Sequence, residues 1–201
     1  GWAQRLAAEA QDAERVAELS FWRGMLCAPS LALVDGGLDP VRDTIGTAGQ
    51  LTLRLPAAVT GPLLGRVPAA FHGGINEVLL TGLAVAVADW CREHGRGSGS
   101  GVLIDLEGHG REEVFADAEL SRTVGWFTSL MPVRLDPGAL DLAEAMAGGP
   151  ALGRALKLIK EQLRALPDNG LGYGLLRYLN RETAPQLAGH AAPQLGFNYL
   201  G

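Results

Sequence analysis

"VLIDLEGHGREEV" occupies residues 102–114. It opens as a short apolar run bounded by turn residues, the signature of a strand, and Gly108 and Gly110 then free the backbone to turn sharply. Into that strand end and turn the sequence packs Asp105, Glu107, His109, Arg111, Glu112 and Glu113. Strand ends in α/β folds commonly carry ligand chemistry. From these residues alone two readings stay open: a reactive carboxylate with supporting charges, or a solvated, charge-balanced turn.

Outward from this stretch, "GRGSGSG" (residues 95–101) is a flexible loop leading into the strand. "SLMPVRL" (129–135) is a second strand, which Pro132 confines to an edge or a bulge, and "QLGFNYL" (194–200) is a closing strand. Ile75, Val78, Leu79, Leu83, Ala86, Val87 and Trp90 fall at helical spacing and define a central apolar helix, with Glu77 in its first turn, where a carboxylate suits the helix dipole. Leu152, Leu156, Ile159 and Leu163 mark a further helix.

Toward the N-terminus, Leu6, Val16, Leu19, Trp22 and Leu26 give an amphipathic helix over residues 2–26, broken near Asp12 and ended by Pro29. Residues 30–49 form an irregular crossover. "QLTLRL" (50–55) alternates polar and apolar residues and predicts a half-buried strand stopped by Pro56; a short helix follows over 57–67. The order predicts an α/β fold, a mixed β-sheet sandwich with helices packed on it.

The chain of 201 residues is one domain or part of one. A net charge of -5 argues against a nucleic-acid surface. The longest apolar run, residues 78–90, is too short to span a bilayer, and no basic, cleavable leader opens the sequence, so a cytoplasmic protein with no membrane partner is expected. Cys27 and Cys91 lack the spacing of a redox or metal pair and are expected as reduced, small core residues. His72, His94 and His190 have no second ligand at i+4, which leaves no metal site. Thr128 and Ser129 lack a nucleophile-elbow context. "GLGYG" (170–174) reads as a tight loop rather than a dinucleotide site. Both ends of the sequence read as internal to a longer chain.

"INEVLLTGLAVAV", "EGHGRE", "RTVGWFTSLMPVRL", "PDNGLGYG" and "FNYLG" occur in this order, and with them the sequence resembles, from end to end, the epimerization domains of nonribosomal peptide synthetases. The related condensation domains share the fold but usually lack the glutamate-led motif. The resemblance implies a chloramphenicol-acetyltransferase-like lobe over residues 50–201, preceded over 1–49 by a helix and crossover from an N-terminal lobe. That N-terminal lobe would carry the family's HHxxxDG motif, which has no counterpart in this sequence.

The activity so implied is inversion at Cα of an aminoacyl or peptidyl thioester, as in antibiotic and other secondary-metabolite synthesis. Inversion takes a proton from one face and returns one to the other, so two acid/base groups must flank the carbon. Glu107 matches the family's glutamate and is one candidate; the histidine of the other lobe is the second. Tyr199 and Asn198 match the final motif and are candidate donors to the enolate oxygen. His109 and Arg111 are expected to brace Glu107 or a neighbouring acid, and Arg122 to reach the site or pair with an acid of the turn. Trp126 is expected either as core or, as the resemblance implies, as floor of a tunnel between lobes. No cofactor is implied beyond the phosphopantetheine arm of a carrier domain. Expected partners are that peptidyl carrier domain, the N-terminal lobe and adjacent synthetase modules. Two alternatives stay open: a condensation domain, or a noncatalytic carrier-binding lobe.

A lobe separated from its partner exposes the apolar face between them. The isolated 201-residue chain is therefore expected to self-associate, and a monodisperse monomer in light scattering would contradict this.

Overall fold

The computed structural model describes residues 1–96, 99–111, 115, 120 and 122–201. The N-terminal helical region is three short helices, α1 (Trp2–Glu9), α2 (Ala13–Ala17) and α3 (Leu19–Cys27). Asp12 makes the expected break: its carboxylate accepts the Glu14 N–H at 2.8 Å and caps α2. After the crossover come α4 (Ala57–Leu64) and α5 (Arg66–Ala70), separated at Gly65, and then the long α6 (Ile75–Glu93). Glu77 closes the start of α6 by accepting the Gly74 N–H at 2.8 Å.

Strand β1 (Val102–Gly108) pairs antiparallel with β2 (Ser129–Leu135) and parallel with β3 (Leu195–Phe197), giving the order β2-β1-β3. The sheet is mixed, and Pro132 lies on the edge strand β2, opposite Asp105. Between β2 and β3 run α7 (Leu142–Met146), α8 (Pro150–Arg164), a 3-10 turn at Pro167–Gly170, α9 (Leu171–Gly174), a π-helical turn at Leu175–Leu179 and α10 (Ala184–Ala188).

The register places Val102, Ile104 and Leu106 opposite Leu135, Val133 and Met131 on one face of the sheet. α6 and α8 pack on each other and on the sheet, so Leu80, Ala84 and Ile159 join these residues in one core. Trp22 of α3 is fully buried in the same core, which ties the N-terminal helices to the sheet. The Asn180 carboxamide fixes the far side, donating to the Ala10 carbonyl at 2.7 Å and accepting the Glu182 and Thr183 N–H groups. No single helix among the described residues is long and apolar enough to cross a membrane, and the apolar face of α6 is buried in the core.

Four expectations need correction. Residues 50–55 are not a strand: no described strand pairs with them, and Leu51 and Leu53 stand 84% and 80% exposed. Alternation marks a chain able to pair, but a strand exists only where a neighbour accepts its hydrogen bonds. "GLGYG" is not a tight loop; residues 171–174 are helical and continue into the π turn. Here the glycine serves close packing, because a Cβ on Gly172 would come within 1.9 Å of the Glu18 carboxylate. The closing strand is confined to Leu195–Phe197. Cys91 is buried as expected, but Cys27, at the end of α3, is exposed.

Ile159 is fully buried between α8 and the sheet. Ile159→Ala should cost about 2–5 kcal/mol and Ile159→Val about 0.5–1.5 kcal/mol in urea unfolding; equal effects would mean that the site is not close-packed.

Candidate functional site

Parallel pairing of β1 with β3 sets the site. Ile104, Asp105 and Leu106 lie beside Leu195, Gly196 and Phe197, so both strands end on the same side of the sheet. The pairing ends at Leu106 and Phe197; Glu107 and Gly108 follow directly on the one strand, Asn198 and Tyr199 on the other. Two segments some ninety positions apart in the sequence thus meet at the C-terminal ends of two parallel strands. Glu107 is half-buried, while Asn198 and Tyr199 are exposed.

Glu107 borders a cleft of about 370 Å³ that also takes in His109, Asn76 and Asn169, with Leu106 and Met131 as apolar lining. That volume lies within the range of small-ligand sites. Most of the lining is fixed by elements already described: Leu106 and Met131 by the β1–β2 register, Asn76 by the first turn of α6.

The turn after β1 is held from behind. The Nδ1 atom of His109 accepts the Arg111 N–H at 3.0 Å. The Arg111 guanidinium donates to the carbonyls of Leu120 and of Thr123, the latter at 3.0 Å, and lies 4.3 Å from the centre of the Phe127 ring. Arg111 therefore ties the turn to the segment that returns to β2, and this replaces the expectation that it braces Glu107. The neighbouring acids Glu112 and Glu113 lie outside the described residues. Gly110 adopts φ 64°, and a Cβ there would overlap the Phe127 carbonyl oxygen at 1.5 Å, so only glycine fits. Trp2 of α1 completes the clasp, with its ring edge-on to Phe115 at 5.2 Å and to Phe127 at 6.4 Å.

Arg122 is exposed, and Trp126 is 90% exposed beside a fully exposed Val124. Trp126 is thus no part of this chain's core. Among the described residues no group of three histidine, cysteine or acidic side chains is arranged to hold a metal ion.

Three contributors escaped the sequence reading. Asp105 sits mid-strand, on the same side of β1 as Glu107, and burial raises its pKa above the ordinary aspartate value. Its near neighbour Tyr173 is pushed up as well, first by burial, then by Tyr178 and Asp105, with Arg177 opposing. Asn169 entered through "PDNG", where a turn is all that the letters indicate. A signal for Asp105 was present, since a carboxylate inside "VLIDL" interrupts an otherwise apolar run.

Known proteins resemble this chain along its whole length. The condensation domain family model matches residues 1–201, and the chain belongs to that family. A linear gramicidin synthase of Brevibacillus parabrevis is 40% identical over 203 residues, and chondramide synthase of Chondromyces crocatus 41% over 207. Each alignment covers 100% of this chain, which spans 2% and 5% of those two proteins. Among solved structures, the epimerization domain from the third module of tyrocidine synthetase B superposes with a TM-score of 0.79 at 35% identity. That match covers 100% of this chain and 42% of the other, and the mixed-sheet α/β fold is the one the two share.

The raised pKa of Asp105 has a sign that can be tested. A carboxyl that holds its proton more tightly when folded is costly to ionise, and the cost sets in as pH rises past the unfolded value of about 3.9. Asp105→Asn should raise Tm at pH 7 relative to the parent, with the gain shrinking to nothing below about pH 4. A gain of equal size at pH 3 and pH 7 would contradict burial as the cause.

Proposed function

We propose that this chain is part of an epimerization domain of a nonribosomal peptide synthetase, inverting Cα of an aminoacyl or peptidyl thioester from L to D. The observation that carries this reading is the parallel pairing of β1 with β3, which sets side by side the strand ends that lead into Glu107 and into Asn198–Tyr199, with Glu107 lining a cleft of small-ligand size. The similarity to the tyrocidine synthetase epimerization domain supports it. The condensation family as a whole contains the fold, so the distinction rests on the carboxylate.

Glu107 exchanges the Cα proton on its face of the substrate. The carbon–hydrogen bond breaks, its electron pair moves into the thioester as an enolate, and the proton passes to an acid/base group. Return of a proton to the opposite face completes inversion, and that face needs a second group. We assign it to a histidine in a second lobe of the same domain. The Asn198 carboxamide and Tyr199 hydroxyl donate to the enolate oxygen as charge develops there. His109 and Arg111 shape the turn that presents Glu107, and Arg122 and Trp126 lie on the segment that faces the second lobe.

The substrate arrives on the phosphopantetheine arm of a peptidyl carrier domain, whose thioester itself acidifies Cα, so no resident cofactor or metal takes part. Partners are that carrier, the second lobe and adjacent synthetase modules, acting in the cytoplasm. The competing reading is peptide-bond formation between two carrier-bound substrates, the activity for which the matched family is named.

The test is deuterium uptake at Cα of a carrier-bound aminoacyl thioester in D2O, run on the full protein with and without Glu107→Gln. Epimerization through Glu107 predicts exchange and inversion that fall at least about a hundredfold in the variant. Peptide-bond formation with no Cα exchange, undiminished by Glu107→Gln, would establish condensation instead.

A further inference from the structure

The cleft beside Glu107 is also lined by Asn169, and the chain delivers this residue in a strained way. Asp168 (φ 41°, ψ 46°) and Asn169 (φ 51°, ψ 28°) both hold left-handed backbone, and Gly170 follows at φ 85°. Aspartate and asparagine enter this region more readily than other non-glycine residues, and two in succession still draw on their surroundings to stay there.

The surroundings here are specific. A Cβ on Gly170 would fall 1.7 Å from the Met131 sulfur, so the turn is pressed against β2 at the cleft wall. The Asp168 carboxylate accepts from Nη2 of Arg15 at 2.7 Å. Arg15 is only 5% exposed and is itself fixed by Glu9 at 2.9 Å and by Glu18. Glu18 in turn accepts the indole N–H of the buried Trp22 at 3.0 Å. Asp168, by contrast, is 58% exposed, so its own burial holds nothing in place. The ion pair joins α2 to a turn 153 positions later, and one residue on from its anchor Asn169 faces the cleft.

We propose that Asn169 is a substrate-binding residue of this cleft and that Arg15 is its positioning residue, acting through the Arg15–Asp168 ion pair that holds the left-handed turn. A carboxamide is both donor and acceptor, which matches the neutral amide groups along a pantetheine arm. The cleft lining holds two acids, Glu77 and Glu107, against one guanidinium, Arg164, which is itself paired with Glu161, so the balance of charge does not call for an anion there. The inference rests on the reading of the cleft as the site of a carrier-borne thioester.

The experiment measures Kd for an unreactive aminoacyl-pantetheine amide by calorimetry on the full protein, with Cα exchange measured in parallel. Asn169→Ala should weaken binding about 3- to 10-fold, the loss of one neutral hydrogen bond. Asp168→Ala should do the same, because alanine is left at φ 41° without its anchor. Asp168→Gly should bind within about 2-fold of the parent, since glycine adopts that φ without strain, and Asp168→Ala combined with Asn169→Ala should be no weaker than Asn169→Ala alone.

A contribution to stability alone would lower Tm in both Asp168 variants and leave Kd unchanged, which would overturn the proposal. So would equal weakening in Asp168→Ala and Asp168→Gly, or a parent that does not bind the amide. If the Kd series behaves as expected but the parent shows no Cα exchange, the epimerization reading falls and this assignment stands. If exchange is present while Kd does not respond, the reverse holds.

Discussion

The parallel pairing of β1 with β3 is the constraint on which the site depends. Parallel strands cannot be joined by a tight turn, and the intervening chain must leave the sheet and return. Here it leaves as β2, crosses through α7 to α10 and comes back beside β1 with Leu195 opposite Ile104. That long detour supplies α8, which packs with α6 on the sheet, so the segment that completes the core also brings β3 back beside β1. A shift of β3 by one residue would turn Leu195 and Phe197 to the other face of the sheet and break their pairing with Ile104 and Leu106.

The helices and the two long strands were legible because their signals are local. Apolar spacing marked α6 and α8, Asp12 marked the cap of α2, and the turn residues around "VLIDL" bounded β1. Residues 50–55 show the limit of such signals. Their alternation is as regular as that of any half-buried strand, yet Leu51 and Leu53 stand in solvent. A pattern describes what a segment can do with a partner; whether the partner exists is information held elsewhere. The brevity of β3 has a similar origin, since only the stretch that meets β1 satisfies the ladder.

Of the site, the carboxylate and its turn were legible, but their supports were not. Arg111 gathers the carbonyls of Leu120 and Thr123 and the Phe127 ring, contacts that its place beside the turn does not announce. Arg15 gave no sign at all. In sequence it is one charge among several on an amphipathic helix, and only the tertiary fold buries it against Glu9, Glu18 and Asp168. Burial alone would lower its pKa, but the hydrogen bonds it donates to Asp168 and Glu9 and the charge of Glu18 outweigh that and raise it. Pairwise contacts of this kind follow from topology, which no periodicity encodes.

The two half-buried aspartates of the sheet region differ in how their burial is offset. Burial pushes both upward, but at Asp136 the Ser100 hydroxyl, the Gly138 N–H and Arg134 together hold the carboxyl below its ordinary value. At Asp105 burial acts alone, and the carboxyl stays raised. Asp136 closes the end of β2, where ionisation is useful as an anchor for a turn. Asp105 lies mid-strand near Tyr173, and its charge helps push the Tyr173 hydroxyl up in turn. The cations of this region are held by groups other than Glu107: Arg15 by Glu18 and Asp168, Arg111 by two backbone carbonyls, Arg134 by Asp136, and Arg164, which lines the cleft with Glu107, by Glu161 and the His72 carbonyl.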